Sequence, residues 1–391
     1  MTIPKLAFRN LLGGGTKSWL NAVVLSLSFV TIIWAQGLMK GLDEEASRAT
    51  IDDEAGGGQY WMESYDPLDP FTFQDAHGPV PAPVQAKIDE GKAAAILLVP
   101  ATIYPQGRVQ SAVLKGIEPE QKILRLPTSR LAAADDEIPA LIGTRMAESS
   151  GLKEGDAVTV RWRDANGAFD ALELQIAGVF ETKVSTVDTG QLWVPLAALR
   201  DMAAMPGEAT IIVLEKGAVP AGPLTGWTFR DQEYLLEDIR AFVRMKTIGS
   251  SIFYVLLLSL AALAIFNTQI LSIWRRRKEI GTLMAMGMTR GRVIGLFTLE
   301  GSLLAILAAL VGAVYGIPLL AYFAVKGFAM PGGQGDSFGL AVGQSLYPVY
   351  SLGLVVATAV LVFATTAVVS YLPARKIAKL KPTDALKGKR T

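Results

Sequence analysis

Few side chains in this 391-residue chain have the types and spacing that catalysis needs. One histidine, His77, and no cysteine remove His-pair metal chemistry, thiolate nucleophiles and disulfides. No G-x-S-x-G nucleophile elbow occurs. An ATP-binding chain needs a GxxxxGKS/T loop to cradle phosphates; Gly15-Thr16-Lys17-Ser18 lacks glycine before its lysine, and Gly388-Lys389-Arg390 lacks the hydroxyl residue. Acid/base work needs only two placed carboxylates, yet spacing gives no pair among the 36 acidic residues special standing. His77, in a Gly/Pro-rich stretch, reads as solvated rather than as a base. The expectation is a chain without catalytic residues, bound metal or cofactor of its own.

Two places do stand out. Glu300 is the acidic residue of an otherwise apolar stretch, where an ionised carboxylate is costly unless hydrogen-bonded or paired. Its use is either structural or in gating. Asn267 and Gln269 are milder polar residues nearby, suited to hydrogen bonds between helices. The second place is the run Arg275 to Met288. After Arg275-Arg276-Arg277-Lys278, Ile280, Leu283 and Met284 recur at i, i+3 and i+4, giving a short helix one apolar face, with Glu279 and the arginines at its rim. Gly287 is placed to end that helix. Such a face suits either a groove on a partner protein or the lipid surface, and amphipathicity alone leaves both open.

The elements that must position these residues follow from composition. Hydrophobic residues make up 51% and charged residues 19%, and mean hydropathy is +0.35, against about 25% charged in an average soluble domain. Crossing a bilayer takes roughly 20 apolar residues. The expected layout is a segment 1–18, spans at 19–38, 248–274, 293–325 and 347–372, a large insert 39–247, a basic loop 275–292, a short loop 326–346 and a tail 373–391. Gly316-Ile317-Pro318 is expected to break or kink the third span. The first span, too long for a signal-peptide core, reads as an uncleaved anchor. Between Lys40 and Lys246 lie 20 of the 37 basic and 32 of the 36 acidic residues; the rest of the chain is basic. By the positive-inside rule both termini and the 275–292 loop are cytoplasmic and the insert is extracytoplasmic. Without a basic patch the insert is no nucleic-acid binder.

Within the insert, Ala95–Tyr104, Val109–Ile117, Ala157–Trp162, Ala171–Phe180, Gln191–Val194 and Ile211–Leu214 alternate or run apolar as strands do, with Asn166-Gly167 suited to a hairpin. Thr144–Leu152 and Leu196–Met202 read as short helices. Gly56-Gly57-Gly58 reads as a flexible connector. Leu42, Ala46 and Ala49, and later Leu235, Ile239, Phe242 and Val243, recur at helical spacing, so the flanking membrane helices continue outward as stalks or meet amphipathic connectors. The fold class expected is an α-helical membrane protein with four transmembrane helices plus an α+β extracytoplasmic domain inserted between helices 1 and 2.

Arg277-Lys278-Glu279-Ile280-Gly281, Met284-Ala285-Met286-Gly287 and Phe297-Thr298-Leu299-Glu300-Gly301 together resemble a signature segment of the FtsX-like/MacB-like ABC transporter permeases. The tail Leu372-Pro373-Ala374-Arg375 through Pro382-Thr383-Asp384-Ala385-Leu386 is similar to that family's ending, and Pro139 to Gly143 with Gly151 to Asp156 resembles its extracytoplasmic core domain. Lys387 stands where the family often has arginine. The resemblance implies a permease in the bacterial cytoplasmic (inner) membrane, working as a dimer with a second copy or paralogue and with two copies of a separate ABC ATP-binding subunit that holds ATP and magnesium. It implies lipoprotein release or export of an amphipathic substrate, with a lipoprotein or other periplasmic partner and membrane lipids in contact. It maps Arg277, Glu279, Ile280, Gly281, Leu283, Met284, Gly287 and Met288 onto the helix that couples to the ATPase. A mechanotransmitting regulator of a cell-wall hydrolase and a membrane-anchored enzyme are the rival expectations.

Overall fold

The computed structural model describes Ala7 and residues 15–132, 137–329 and 345–377. The longer elements of the first half are α1 (Gly15–Thr50), β1 (Gln59–Met62), α2 (Ala82–Asp89), β2 (Ala93–Ile103), β3 (Gln110–Ile117), β4 (Ile138–Gly143), α3 (Thr144–Ser150) and β5 (Ala157–Arg163). Then come β6 (Phe169–Phe180), β7 (Gln191–Pro195), α4 (Leu196–Ala203), β8 (Ile211–Leu214), β9 (Trp227–Arg230), α5 (Glu237–Arg275), α6 (Arg277–Ala285), α7 (Arg290–Lys326) and α8 (Leu352–Ile377). The chain divides into a helical unit and a β-rich unit, the latter covering residues 43–242.

Four helices, α1, α5, α7 and α8, are long and apolar enough to cross a membrane, which fits a multi-pass membrane protein. The core of the helical unit is built from one stripe of each: Leu25, Phe29 and Ile32 of α1, Leu258 and Ile265 of α5, Leu304 and Ala308 of α7, and Val362 of α8. Large apolar residues such as Leu256, Leu260, Leu310 and Val360 point outward, as lipid-facing side chains do. Gly312 and Gly316 let α7 approach α1; a Cβ on Gly316 would lie 2.7 Å from Val30 Cγ2. Small residues four apart permit this close helix packing in lipid.

The helix ends refine two expectations about the spans. Helix α7 runs through Pro318 to Lys326 without a break, as neighbouring helices in a bundle allow. The fourth span begins as a helix at Leu352 rather than at Tyr347, because Pro348 disfavours helical geometry in the residue before it. The extended lead-in is used instead, with Val349 N–H donating to Gly37 O at 2.9 Å.

The β-rich unit holds one nine-stranded sheet in the order β9-β1-β8-β2-β3-β7-β4-β6-β5. Strand β2 also pairs with β5, Ala101 opposite Trp162, so six strands close into a ring from which β8, β1 and β9 extend. Pairs β3–β7 and β4–β6 are parallel, the other pairs antiparallel. Period-2 alternation divides the residues between two cores. Leu97, Val99, Leu114, Ile142, Val160 and Leu192 fill one; Ile96, Leu98, Ile117, Leu141 and Trp193 line the other.

The glycine run is not a loose connector. Gly56 has φ +59°, Gly57 N–H donates to Leu214 O at 2.7 Å, and a Cβ on Gly57 would lie 2.0 Å from Glu215 O. Close backbone approach is therefore what these positions require. Between β5 and β6 the connection is residues 164–168, and of Asn166-Gly167 only Gly167 takes positive φ. His77 is half-buried and pairs through Nδ1 with Glu208 Oε2 instead of facing water. The residues following Leu42 are helical to Thr50, with Leu42, Ala46 and Ala49 buried.

Candidate coupling site

Helix α5 ends at Arg275, and Arg276 turns the chain at φ −92°, ψ 15° before α6 starts. At the other end Met286 N–H donates to Thr282 O at 3.0 Å, and Gly287 takes φ +96°, a left-handed conformation that costs glycine little. Thr289, extended, precedes the first residue of α7. Two backbone turns thus hold a nine-residue helix between two long ones.

Arg276, which the sequence alone did not single out, is the node of this turn. Its Nε donates to Glu279 Oε2 at 2.8 Å and its Nη2 to Glu279 Oε1 at 3.0 Å, a two-pronged grip suited to guanidinium geometry. The remaining arm, Nη1, donates to Glu300 Oε2 at 3.2 Å. The guanidinium also lies 5.4 Å from the Phe297 ring centroid. Hydrogen bonding from Arg276 holds the Glu279 carboxyl below the usual range against the opposing effect of burial. The hydrogen bond to Glu279, with Glu300 adding, raises the Arg276 guanidinium above its already high value. The buried carboxylate of Glu300 is therefore tied directly to the basic turn.

The apolar face of α6 points inward. Ile280 is 3% exposed in a cluster with Ile273, Val293, Phe297 and Ala374, against which Met284 and Met288 pack. This side of the helix is covered by the bundle. Gly281 is buried as well. The face left open carries Lys278, Glu279, Thr282, Ala285 and Met286, with Gly287 exposed beside it; Met286 is 72% exposed. Arg277 and Leu283 lie in the helix, but their side chains fall outside the described residues, as does the family-like tail beyond Ile377.

Gln269 and Asn267 separate. Gln269 is buried, its Oε1 without a hydrogen-bond partner among the described residues, whereas Asn267 is exposed. Residues two apart on a helix point to different sides, and among the described residues neither side chain makes a hydrogen bond to another helix. Gln269 instead meets the close approach of α7 and α8, where a Cβ on Gly301 would lie 1.9 Å from Ser370 Oγ and 3.0 Å from Gln269 Nε2.

Residues 251–382 match the family described as FtsX-like permease C-terminal. The chain is 27% identical over 166 residues to the macrolide export ATP-binding/permease protein MacB of Wolinella succinogenes, covering 42% of this chain and 23% of that one. It is 25% identical over 223 residues to MacB of Burkholderia cenocepacia, 57% of this chain and 30% of that one. An uncharacterized ABC transporter permease of Methanocaldococcus jannaschii is 31% identical over 132 residues, 34% of this chain and 30% of that one. The matches span less than a third of the length of each of these relatives. Together they support an FtsX/MacB-like ABC permease family for this chain.

Proposed function

We propose that the chain is the permease subunit of an ABC transporter, passing the motion of a separate ATP-binding subunit to an extracytoplasmic domain, and that α6 is where the ATPase docks. The observation that carries this reading is the Arg276 node. Arg276 joins α6, through Glu279, to Glu300 of α7, while Ile280 fastens the inner face of α6 to the same bundle. A push on the open face then moves helices rather than a loose loop.

Lysine and arginine at 275–278, 290 and 292 favour a cytoplasmic position for this turn, and the acidic balance of residues 43–242 favours the opposite side for the β-rich unit. The chain works beside a second permease copy or paralogue and two ATPase subunits, which supply ATP and magnesium. Its cargo is an amphipathic substrate such as a lipoprotein. The experiment is co-purification from native membranes with an affinity-tagged wild-type chain and with Met286→Asp. Recovery of an ABC ATPase with the first and its loss with the second, at unchanged folding, supports the assignment; an ATPase that never co-purifies defeats it.

A further inference from the structure

Alternation along β3 puts Val113, Lys115 and Ile117 on one face of the sheet, with Ala112 and Leu114 on the other. Lys115 thus occupies a position where its neighbours are apolar. It is 8% exposed. Its Nζ lies 5.0 Å from the centroid of the Trp193 ring, and Trp193 is its register partner on β7. Among the described residues it makes no hydrogen bond or ion pair, and its Nζ is not among the fully enclosed polar atoms that lack a partner, so it keeps a little contact with solvent. An ammonium group buried without a carboxylate partner is costly, and burial lowers Lys115 from the ordinary lysine value, with only the field of Glu54 opposing.

This lysine lines a pocket of about 560 Å³ within the β-rich unit, a size common for small-molecule sites. Trp61, Tyr65, Trp193 and Tyr234 supply aromatic wall. Both indole N–H groups are used internally: Trp61 Nε1 donates to Gln59 Oε1 at 2.6 Å and Trp193 Nε1 to Val187 O at 3.2 Å. Both indoles are themselves buried, so the aromatic surface left open to an entering molecule is that of Tyr65 and Tyr234. Tyr65 is pushed well above the usual phenol range, mainly by burial, so its hydroxyl remains a donor. The other charged side chains lining the pocket are the carboxylates Glu54, Asp66, Glu237 and Asp238, which oppose any anion, so a bound carboxylate must reach Lys115 itself. The one cation of the lining, set beside aromatic side chains, is the group that suits a single negative charge on an otherwise apolar body.

We propose that this pocket binds an amphipathic molecule carrying a single carboxylate, the carboxylate on Lys115 and the apolar body against Tyr65 and Tyr234. The site rests on the β-rich unit alone and does not depend on the permease reading. The test uses the full chain in nanodiscs with three probes of one shape: 3-phenylpropionate, 3-phenylpropan-1-ol and 3-phenylpropylamine, followed by tryptophan fluorescence and saturation-transfer NMR. Wild type binds the acid about tenfold more tightly than the alcohol or the amine, as one charge-assisted hydrogen bond implies. Lys115→Met, and separately Lys115→Gln, bring the acid to the level of the alcohol without changing alcohol binding. In wild-type chain carrying ¹³C-methylated lysines, the resonance missing from both variants titrates at higher pH once the acid is added. The proposal is overturned if folded wild type binds none of the three saturably, if it does not prefer the acid, or if the preference survives both substitutions.

Discussion

The guanidinium of Arg276 donates at 3.2 Å to the buried carboxylate of Glu300 while its other nitrogens hold Glu279. Because Arg276 is about one-fifth exposed and Glu300 one-tenth, this contact is only weakly screened by water. Arg276→Ala removes a hydrogen-bonded partner from an acid in an apolar setting and is expected to cost about 2 kcal/mol in the helical unit. Arg276→Lys, which lacks the fork, recovers part of that. Thermal unfolding in detergent measures both; an unchanged midpoint for Arg276→Ala removes the node from the account.

The two faces of α6 should respond differently. Ile280→Asp places a charge in the cluster with Ile273 and Phe297 and lowers stability by several kcal/mol. Met286→Asp, on the open face, leaves stability within about 0.5 kcal/mol but lowers ATPase co-purification. Glu279→Lys breaks the grip of Arg276 and reverses charge on the same open face, so it lowers both. Equal loss of ATPase binding by all three with no stability difference contradicts the two-faced arrangement.

Lys115 imposes a pH signature. Its folded-state value lies below the unfolded value of 10.5, so over the interval between the two the unfolded chain binds more protons than the folded one. Stability contributed at this site therefore rises with pH across that interval and is least below it. Lys115→Met removes the slope and raises stability near neutral pH. Chemical denaturation of wild type and variant at a series of alkaline pH values reads the difference directly; parallel curves for the two proteins argue against a strained lysine.

Asp188 caps the start of α3. Its carboxylate, 1% exposed, accepts from Arg145 N–H at 3.0 Å and from the Arg145 guanidinium at 2.9 Å. It also fills the space beside Gly143, where a Cβ would lie 1.8 Å from Oδ1. Asp188→Ala is expected to cost about 3 kcal/mol, combining a lost cap with a broken buried pair. Urea titration followed by Trp193 fluorescence checks it, and a cost under 1 kcal/mol rejects the cap.

How legible each element is in the sequence depends on how many residues carry its signal. Long apolar runs announced the four membrane-length helices, and alternation announced the six strands now seen as β2, β3, β5, β6, β7 and β8, within one or two residues at most ends. Strands β1 and β9, four residues each and aromatic, offered too short a window, and Pro139 disguised β4. At the coupling site, spacing revealed that α6 has an apolar face but not which neighbour covers it; that depends on Ile273, Val293 and Ala374, brought from three other helices. Arg276 looked like one of several equivalent basic residues, because only the fold brings Glu300 to it. Lys115 did carry a readable sign, a lone cation at an otherwise apolar alternating position.

The place of β1 in the sheet has a consequence for how the chain is made. Gln59–Met62 is flanked on both sides by strands from the far end of the unit, Ile211–Leu214 and Trp227–Arg230. A ribosome adding about 5–20 residues each second leaves β1 without either neighbour for roughly 8–30 s after it emerges. The six-strand ring, whose members all lie between residues 93 and 195, can close during that wait. Biogenesis thus requires that a sticky, tryptophan-bearing segment be kept solitary until the last strands arrive, which makes it the natural point of attack for a holding chaperone.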